Sequence, residues 1–121
     1  MSAGINLSNS NGTVLGGYYY AAPQALSGAG AISVTTYKTN VTTTGANALT
    51  LADGTFIGQR KCIQLIVDGG DGTLTPTNLS GGTTITFADV GDRAELLWNG
   101  ANWIAIDLYN CADGATAPVL A

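Results

Sequence analysis

Residues 84–107 read TITFADVGDRAELLWNGANWIAID and contain three strand-like runs, TITF, AELLW and NWIAID. The segment DVGD at 89–92 separates the first two runs, and Asn99-Gly100 separates the last two. An Asn-Gly step readily supplies the positive-φ residues that a tight hairpin turn needs. The stretch therefore predicts consecutive β-strands that carry large apolar side chains, and it indicates an architecture more than a substrate.

The closing hairpin can be drawn in two registers. A two-residue loop would place Leu96 opposite Trp103, whereas a four-residue loop would place Trp98 opposite Trp103. In both, Ala94, Leu96 and Trp98 share one face of their strand and Leu97 lies on the other. A tryptophan flanked by aliphatic residues is typical of a core or a subunit interface, and the alternative is an exposed ring that stacks on a sugar. Candidates for core or interface are Leu96, Trp98 and Trp103.

From Ala31 onward the pattern is that of β-structure, rich in Thr, Val and Ile and punctuated by Gly. The run RKCIQLIV at 60–67 is apolar on both faces, which predicts a central strand with cover on each side. The segment DGGDG at 68–72 predicts a hairpin turn, because a calcium-binding roll would repeat this motif and the chain shows it once. We predict an all-β domain over 31–121, a compact sandwich or barrel-like unit of short antiparallel strands.

Residues 1–30 differ from the rest, being rich in Gly, Ser, Ala and Asn without a sustained period. This texture predicts an irregular N-terminal arm. Three consecutive tyrosines cannot all face one core from a strand, because neighbours alternate faces. Tyrosine is also enriched at interfaces. Tyr18, Tyr19, Tyr20 and Pro23 are therefore candidate contacts with a partner or with another subunit, and the alternative is an arm that lies across its own domain.

Composition excludes several functional classes. The 121 residues include four Lys or Arg, eight Asp or Glu and no His. Nucleic acid and anionic membrane surfaces are disfavoured as partners, because both draw on clustered basic residues. No apolar run approaches the roughly 20 residues of a membrane span. The N-terminus lacks the pattern of a secretory signal, so we expect assembly in a cytoplasm.

Reactive chemistry is sparse. Without His, a Ser-His-Asp or Cys-His nucleophile system cannot be built, and a structural zinc site lacks ligands. Asp89, Asp92 and Glu95 are close in sequence, but a turn and a solvent-facing strand position explain them as surface charge. Cys62 and Cys111 are expected to be buried free thiols. We predict no enzyme activity, no cofactor and no metal site.

Two segments carry a family resemblance: ALTLADGTFIGQRKCIQLIVDGGDGTLTPTN at 48–78 and GGTTITFADVGDRAELLWNGANWIAI at 81–106. In their order and spacing they resemble a group of small tailed-phage virion proteins, over about residues 31 to 107. The segment PQALSGAGAIS at 23–33 also fits. The resemblance implies a β-rich, trimeric structural protein on the particle, either on the head or in a fibre or spike.

A head-decoration (cement) role is the first expectation. Such a protein would bind the major capsid protein on the outer surface of the head as a homotrimer and stabilise contacts between capsomers. The alternative is a tail fibre or spike component with a receptor-binding, glycan-recognising role, and a third class is a bacterial carbohydrate-binding module. Two-sided apolar strands favour self-association in the first two classes, because burying apolar area is worth roughly 25 cal/mol per Å².

Overall fold

The computed structural model describes residues 22–112 and 116–121. Within these residues the chain forms β-strands and no helix, so the all-β prediction is confirmed. The strands are β1 (Gln24–Ser27), β2 (Gly30–Ile32), β3 (Lys38–Thr42), β4 (Asn47–Leu51), β5 (Arg60–Val67), β6 (Gly72–Pro76), β7 (Ile85–Phe87), β8 (Asp92–Trp98), β9 (Trp103–Asn110) and β10 (Val119–Leu120).

The strands form two five-stranded sheets. Sheet A has the order β1-β3-β5-β8-β9, and sheet B has the order β10-β7-β6-β4-β2. The first six strands alternate between the sheets, so that β1, β3 and β5 run parallel in sheet A while β2, β4 and β6 run parallel in sheet B. The remaining pairs are antiparallel. The first half of the domain is therefore a two-sheeted roll.

The prediction of antiparallel strands was wrong for this half of the domain, because both sheets are mixed. A tight turn joins two strands of one sheet only when they are antiparallel. Here each turn carries the chain across to the facing sheet. The next turn brings it back to the first sheet, where the new strand lies parallel to the earlier strand of that sheet. Alternation of apolar residues is the same in both arrangements, so strand direction was not encoded in the pattern.

The turns at one side of the roll stack on each other. Thr43 lies in the turn between β3 and β4, and its hydroxyl accepts a hydrogen bond from the Gly69 amide at 2.9 Å and donates one to the Gly70 carbonyl at 2.7 Å. A Cβ on Gly70, whose φ is 152°, would lie 2.5 Å from the carbonyl carbon of Gly45. The segment 68–72 is therefore a crossover between sheets and not the predicted hairpin turn, although Asp68 does accept a hydrogen bond from the Gly70 amide as expected.

One hydrophobic core lies between the two sheets, which makes the domain a sandwich of two open sheets not closed into a barrel. Strand β5 occupies the centre of sheet A, as predicted, and its Ile63 and Leu65 point into this core. The core is formed by buried residues of both sheets: Ile32, Val41, Leu49, Leu51, Ile63, Leu65, Leu74, Ile85, Phe87, Ala94, Leu96, Trp98 and Trp103.

The β8–β9 hairpin adopts the four-residue register, with Trp98 paired to Trp103. Asn99 closes the loop by accepting hydrogen bonds from the amides of Ala101 and Asn102 on its side-chain oxygen. Gly100 supplies the positive φ, at 98°. Along β8 buried and half-buried positions alternate, which confirms the predicted division of its two faces.

Asp92 departs from its prediction as a surface charge, because it is buried at the corner between β7 and β8. One carboxylate oxygen accepts hydrogen bonds from the amides of Ala88 and Asp89, at 2.8 and 3.1 Å. The other accepts from the side-chain amide of Asn110 at 3.0 Å. A buried carboxylate needs such partners, and here they hold the chain as it passes from sheet B to sheet A.

Candidate functional site: a pocket between two loops

The described residues among those proposed from the sequence lie in two different places. Tyr18, Tyr19 and Tyr20 fall outside the described residues. Pro23 is exposed, immediately before β1. Leu96, Trp98 and Trp103 all belong to the hydrophobic core between the two sheets. No single site brings the described members of this set together.

The tryptophans do not present a sugar-stacking surface. Trp98 is 6% exposed and Trp103 is fully buried. Their rings pack against each other with centroids 5.4 Å apart and planes tilted by 59°. The indole nitrogen of Trp103 donates a hydrogen bond to the Ala52 carbonyl at 2.8 Å. The glycan hypothesis therefore needs other residues.

A pocket of about 480 Å³ opens elsewhere, between the loop that precedes β3 and the loop that precedes β5. The segments 34–37 and 56–60 contribute its lining residues: Val34, Thr35, Thr36, Tyr37, Phe56, Gly58, Gln59 and Arg60. Its volume falls within the range of about 300–1,000 Å³ that is usual for small-molecule sites. The pocket thus combines aromatic, hydroxyl and cationic groups.

Gln59 holds the two loops together. Its side chain is buried, and its Nε2 donates to the Val34 carbonyl at 2.8 Å. Its Oε1 accepts from the amide of Thr55 at 2.6 Å. Both polar ends of the amide are therefore satisfied by backbone groups, one from each loop, which fixes the separation of the pocket walls.

Lys61 lies beneath the first loop. It is 1% exposed, and its Nζ donates to the Thr36 carbonyl at 2.9 Å, the Thr36 hydroxyl at 3.0 Å and the Thr39 hydroxyl at 2.7 Å. The Thr39 hydroxyl in turn donates to Gln24 Oε1 at 2.8 Å, which ties β1 into the same network. Burial lowers the pKa of Lys61 to about 8, because removal from water disfavours the charged ammonium.

Tyr37, another lining residue of the pocket, is held in place by residues on the outer face of sheet A, which is the face turned away from the core. Its hydroxyl donates a hydrogen bond to Glu95, and burial together with this bond raises the pKa of Tyr37 to about 12. Arg93 forms an ion pair with Glu95 at 3.9 Å and donates from Nε to Cys62 Sγ at 3.0 Å. Glu95 was predicted to face solvent, and it instead anchors a pocket wall.

The rim of the pocket is exposed. Phe56 is 62% exposed, and Arg60, also exposed, forms no ion pair with any of the described residues. Ile57 is 77% exposed and lies next to Gly100, outside the pocket lining. Phe56 and Ile57 stand between Gly54 and Gly58, and apolar residues flanked by glycines ahead of Arg60 are the sequence signal that could have indicated this site.

Charge is distributed unevenly around this site. The outer face of sheet A carries Lys38, Arg60 and Arg93. Lys38 pairs with Cys62 and Arg93 pairs with Gln64, while Arg60 lies two residues before Cys62 on β5, so all three side chains are on the same side of the sheet. Lys61 lies beneath the pocket, so all four basic residues of the chain belong to this sheet. None of the acidic residues in 22–112 and 116–121 lines the pocket. Arg60 is the one charged residue of the lining, and the nearby Glu95 is paired with Arg93 and Tyr37.

The cysteines are both free. Cys62 is buried, as predicted, and its pKa is raised by burial. The prediction was wrong for Cys111, which is exposed beyond the end of β9. Its Sγ lies 3.3 Å from the Gly91 carbonyl.

Across residues 22–112 and 116–121, no group of three or more His, Cys, Asp or Glu side chains is arranged to hold a metal ion. Within the same residues, no helix has the length and apolar character to span a membrane. No protein-family model matches the chain.

Proposed function

We propose that this chain is a structural virion protein of the capsid-decoration type. It binds the major capsid protein on the outer surface of a phage head as a homotrimer and adds contacts between capsomers. Its activity is adhesion without turnover. The resemblance of residues 31–107 to small tailed-phage virion proteins supports the class, and the all-β sandwich is compatible with it.

The observation that carries the proposal is the unpaired end of the roll. Strand β1 pairs only with β3 and strand β2 only with β4, so within the described residues each has a free edge, as β9 and β10 have at the opposite ends of the two sheets. Such edges pair readily with another chain unless they are covered. Residues 1–21 lead directly into this end, which places the candidate contacts Tyr18, Tyr19 and Tyr20 a few residues before β1. Self-association or capsid binding at this end would cover the edges.

Two measurements test the proposal. Light scattering on the purified protein should give about three times the chain mass of 12.2 kDa, and a monomer at micromolar concentration would contradict the trimer. Antibody-gold labelling of particles should decorate the head evenly. Label confined to the tail would contradict the decoration role.

Strand β1 and the start of β2 lie within the residues 1–30 predicted as the arm, so the arm is tested by a truncated chain that begins at Ala22 and keeps β1 and the Gln24 hydrogen bonds. This variant should fold but occupy heads stripped of the protein less fully than the whole chain does. A matched variant of full length, with Tyr18, Tyr19 and Tyr20 changed to Ser, separates the tyrosines from the length of the arm. Full occupancy by the truncated chain would show that the arm is not the attachment segment.

A fibre or spike component that recognises a glycan is the second candidate. The pocket favours it, because an exposed aromatic ring beside a cation without an ion pair is suited to a polar, ring-shaped ligand. Location of the gold label on head or tail distinguishes the two candidates.

A further inference from the structure

We propose that the pocket between residues 34–37 and 56–60 is a binding site for a carboxylated sugar, with Arg60 as the carboxylate-binding residue and Phe56 as the stacking residue. This inference deepens the second candidate function and rests on it for biological meaning. The binding itself requires neither a trimer nor a particular place on the virion.

The charge of the site selects an acidic ligand. Arg60 is exposed at the rim and forms no ion pair with the described residues, so its guanidinium is available. A guanidinium binds a carboxylate through two parallel hydrogen bonds, which fixes orientation as well as charge. Lys61 lies beneath Thr36 with its three hydrogen bonds already made, so it contributes a positive field and not a direct contact. With four basic residues in the chain, the site suits a single carboxylate better than a polyphosphate.

The aromatic and hydroxyl groups select a sugar ring. Phe56 remains 62% exposed although it lines the pocket, so one side of its ring is open to a ligand. A pyranose presents a face of C–H groups that packs on an aromatic ring, while its hydroxyls need polar partners. In the same lining the Thr36 hydroxyl accepts a hydrogen bond from Lys61, which leaves its own hydrogen to donate to a ligand oxygen, while the Thr35 hydroxyl is already bonded to Ser33. A cavity of about 480 Å³ has room for one or two sugar rings.

The walls of the pocket are organised before any ligand arrives. Gln59 joins the two loops through the Val34 carbonyl and the Thr55 amide. Tyr37 is held through its hydrogen bond to Glu95. A site whose loops are already ordered loses little conformational entropy on binding, and this raises the affinity available from a few contacts.

Calorimetric titration of the full-length protein tests the proposal. The acidic probes are digalacturonic acid and 3′-sialyllactose, and the neutral counterparts are digalactose and lactose. We expect at least one acidic probe to bind more tightly than its neutral counterpart, and to weaken as salt is raised. No binding of either acidic probe, or equal binding of acidic and neutral probes, would overturn the proposal.

Three variants assign the residues. Arg60→Gln should weaken binding of the acidic probe at least tenfold, and Phe56→Ser should weaken it by a similar factor. Ile57→Ser is the matched control, because Ile57 is the more exposed of two adjacent apolar residues and lies outside the pocket lining. Unchanged affinity in Arg60→Gln, or an equal loss in Ile57→Ser, would refute the assignment. Light scattering on each variant separates lost binding from lost assembly, and gold labelling tests the virion location independently.

Discussion

The burial of Lys61 predicts how the free energy of unfolding changes with pH. Burial lowers its pKa from 10.5 to about 8, so between these values the unfolded chain binds a proton that the folded chain releases. Stability therefore rises with pH across this window. A shift of this size corresponds to about 3 kcal/mol, since each pKa unit is worth about 1.4 kcal/mol. Below about pH 8 the lysine is protonated in both states and the full cost of burying the charge remains.

The assay is urea unfolding followed by tryptophan fluorescence at a series of pH values from 7 to 10.5, for the wild type and Lys61→Met. The free energy of unfolding of the wild type should gain about 3 kcal/mol relative to the variant across this range. The comparison is made as a difference because Tyr37 acts in the opposite sense. Its pKa is raised to about 12, so its contribution to stability is lost as pH rises above about 10.

Lys38→Met is the control, because it removes the same charge from the neighbouring outer face and leaves the buried network of Thr36 and Thr39 intact. Parallel stability curves for the wild type and Lys61→Met would refute the reasoning. An equal pH-dependent difference in Lys38→Met would assign the effect to overall charge and not to burial.

Three further predictions concern packing and thiol access. Trp103→Ala removes a fully buried ring and its hydrogen bond to Ala52, and chemical unfolding should show a loss of about 3–5 kcal/mol. Gly70→Ala should lower the melting temperature much more than Gly45→Ala, because the two glycines have similar φ but only at Gly70 would a Cβ meet backbone, at 2.5 Å; equal effects would contradict the stacked turns. Iodoacetamide should modify Cys111 in the folded protein at pH 8 and modify Cys62 only after unfolding, and mass spectrometry of labelled peptides would expose any reversal of this order.

The position of the pocket and the parallel direction of the strands could not be predicted from the sequence, for related reasons. The segment 54–58 has no apolar period, so nothing in it indicated which loop it would face. Gln59 and Val34 are 25 positions apart, and their hydrogen bond exists only because β3 and β5 are neighbours in sheet A. The tryptophans were the more conspicuous candidates for a sugar site, yet the core encloses both.

The sequence by itself determined the all-β class, the two faces of β8 and the central place of β5, because alternation along a strand and a doubly apolar run are local properties. Only the tertiary structure decided that the first six strands alternate between two sheets, that Asp92 and Lys61 are buried, and that Arg60 stands beside Phe56 at a pocket. The physical reason is that strand direction, burial of a charge and the meeting of two loops depend on which segments lie together in space. The periodicity of side chains along the sequence does not contain that information.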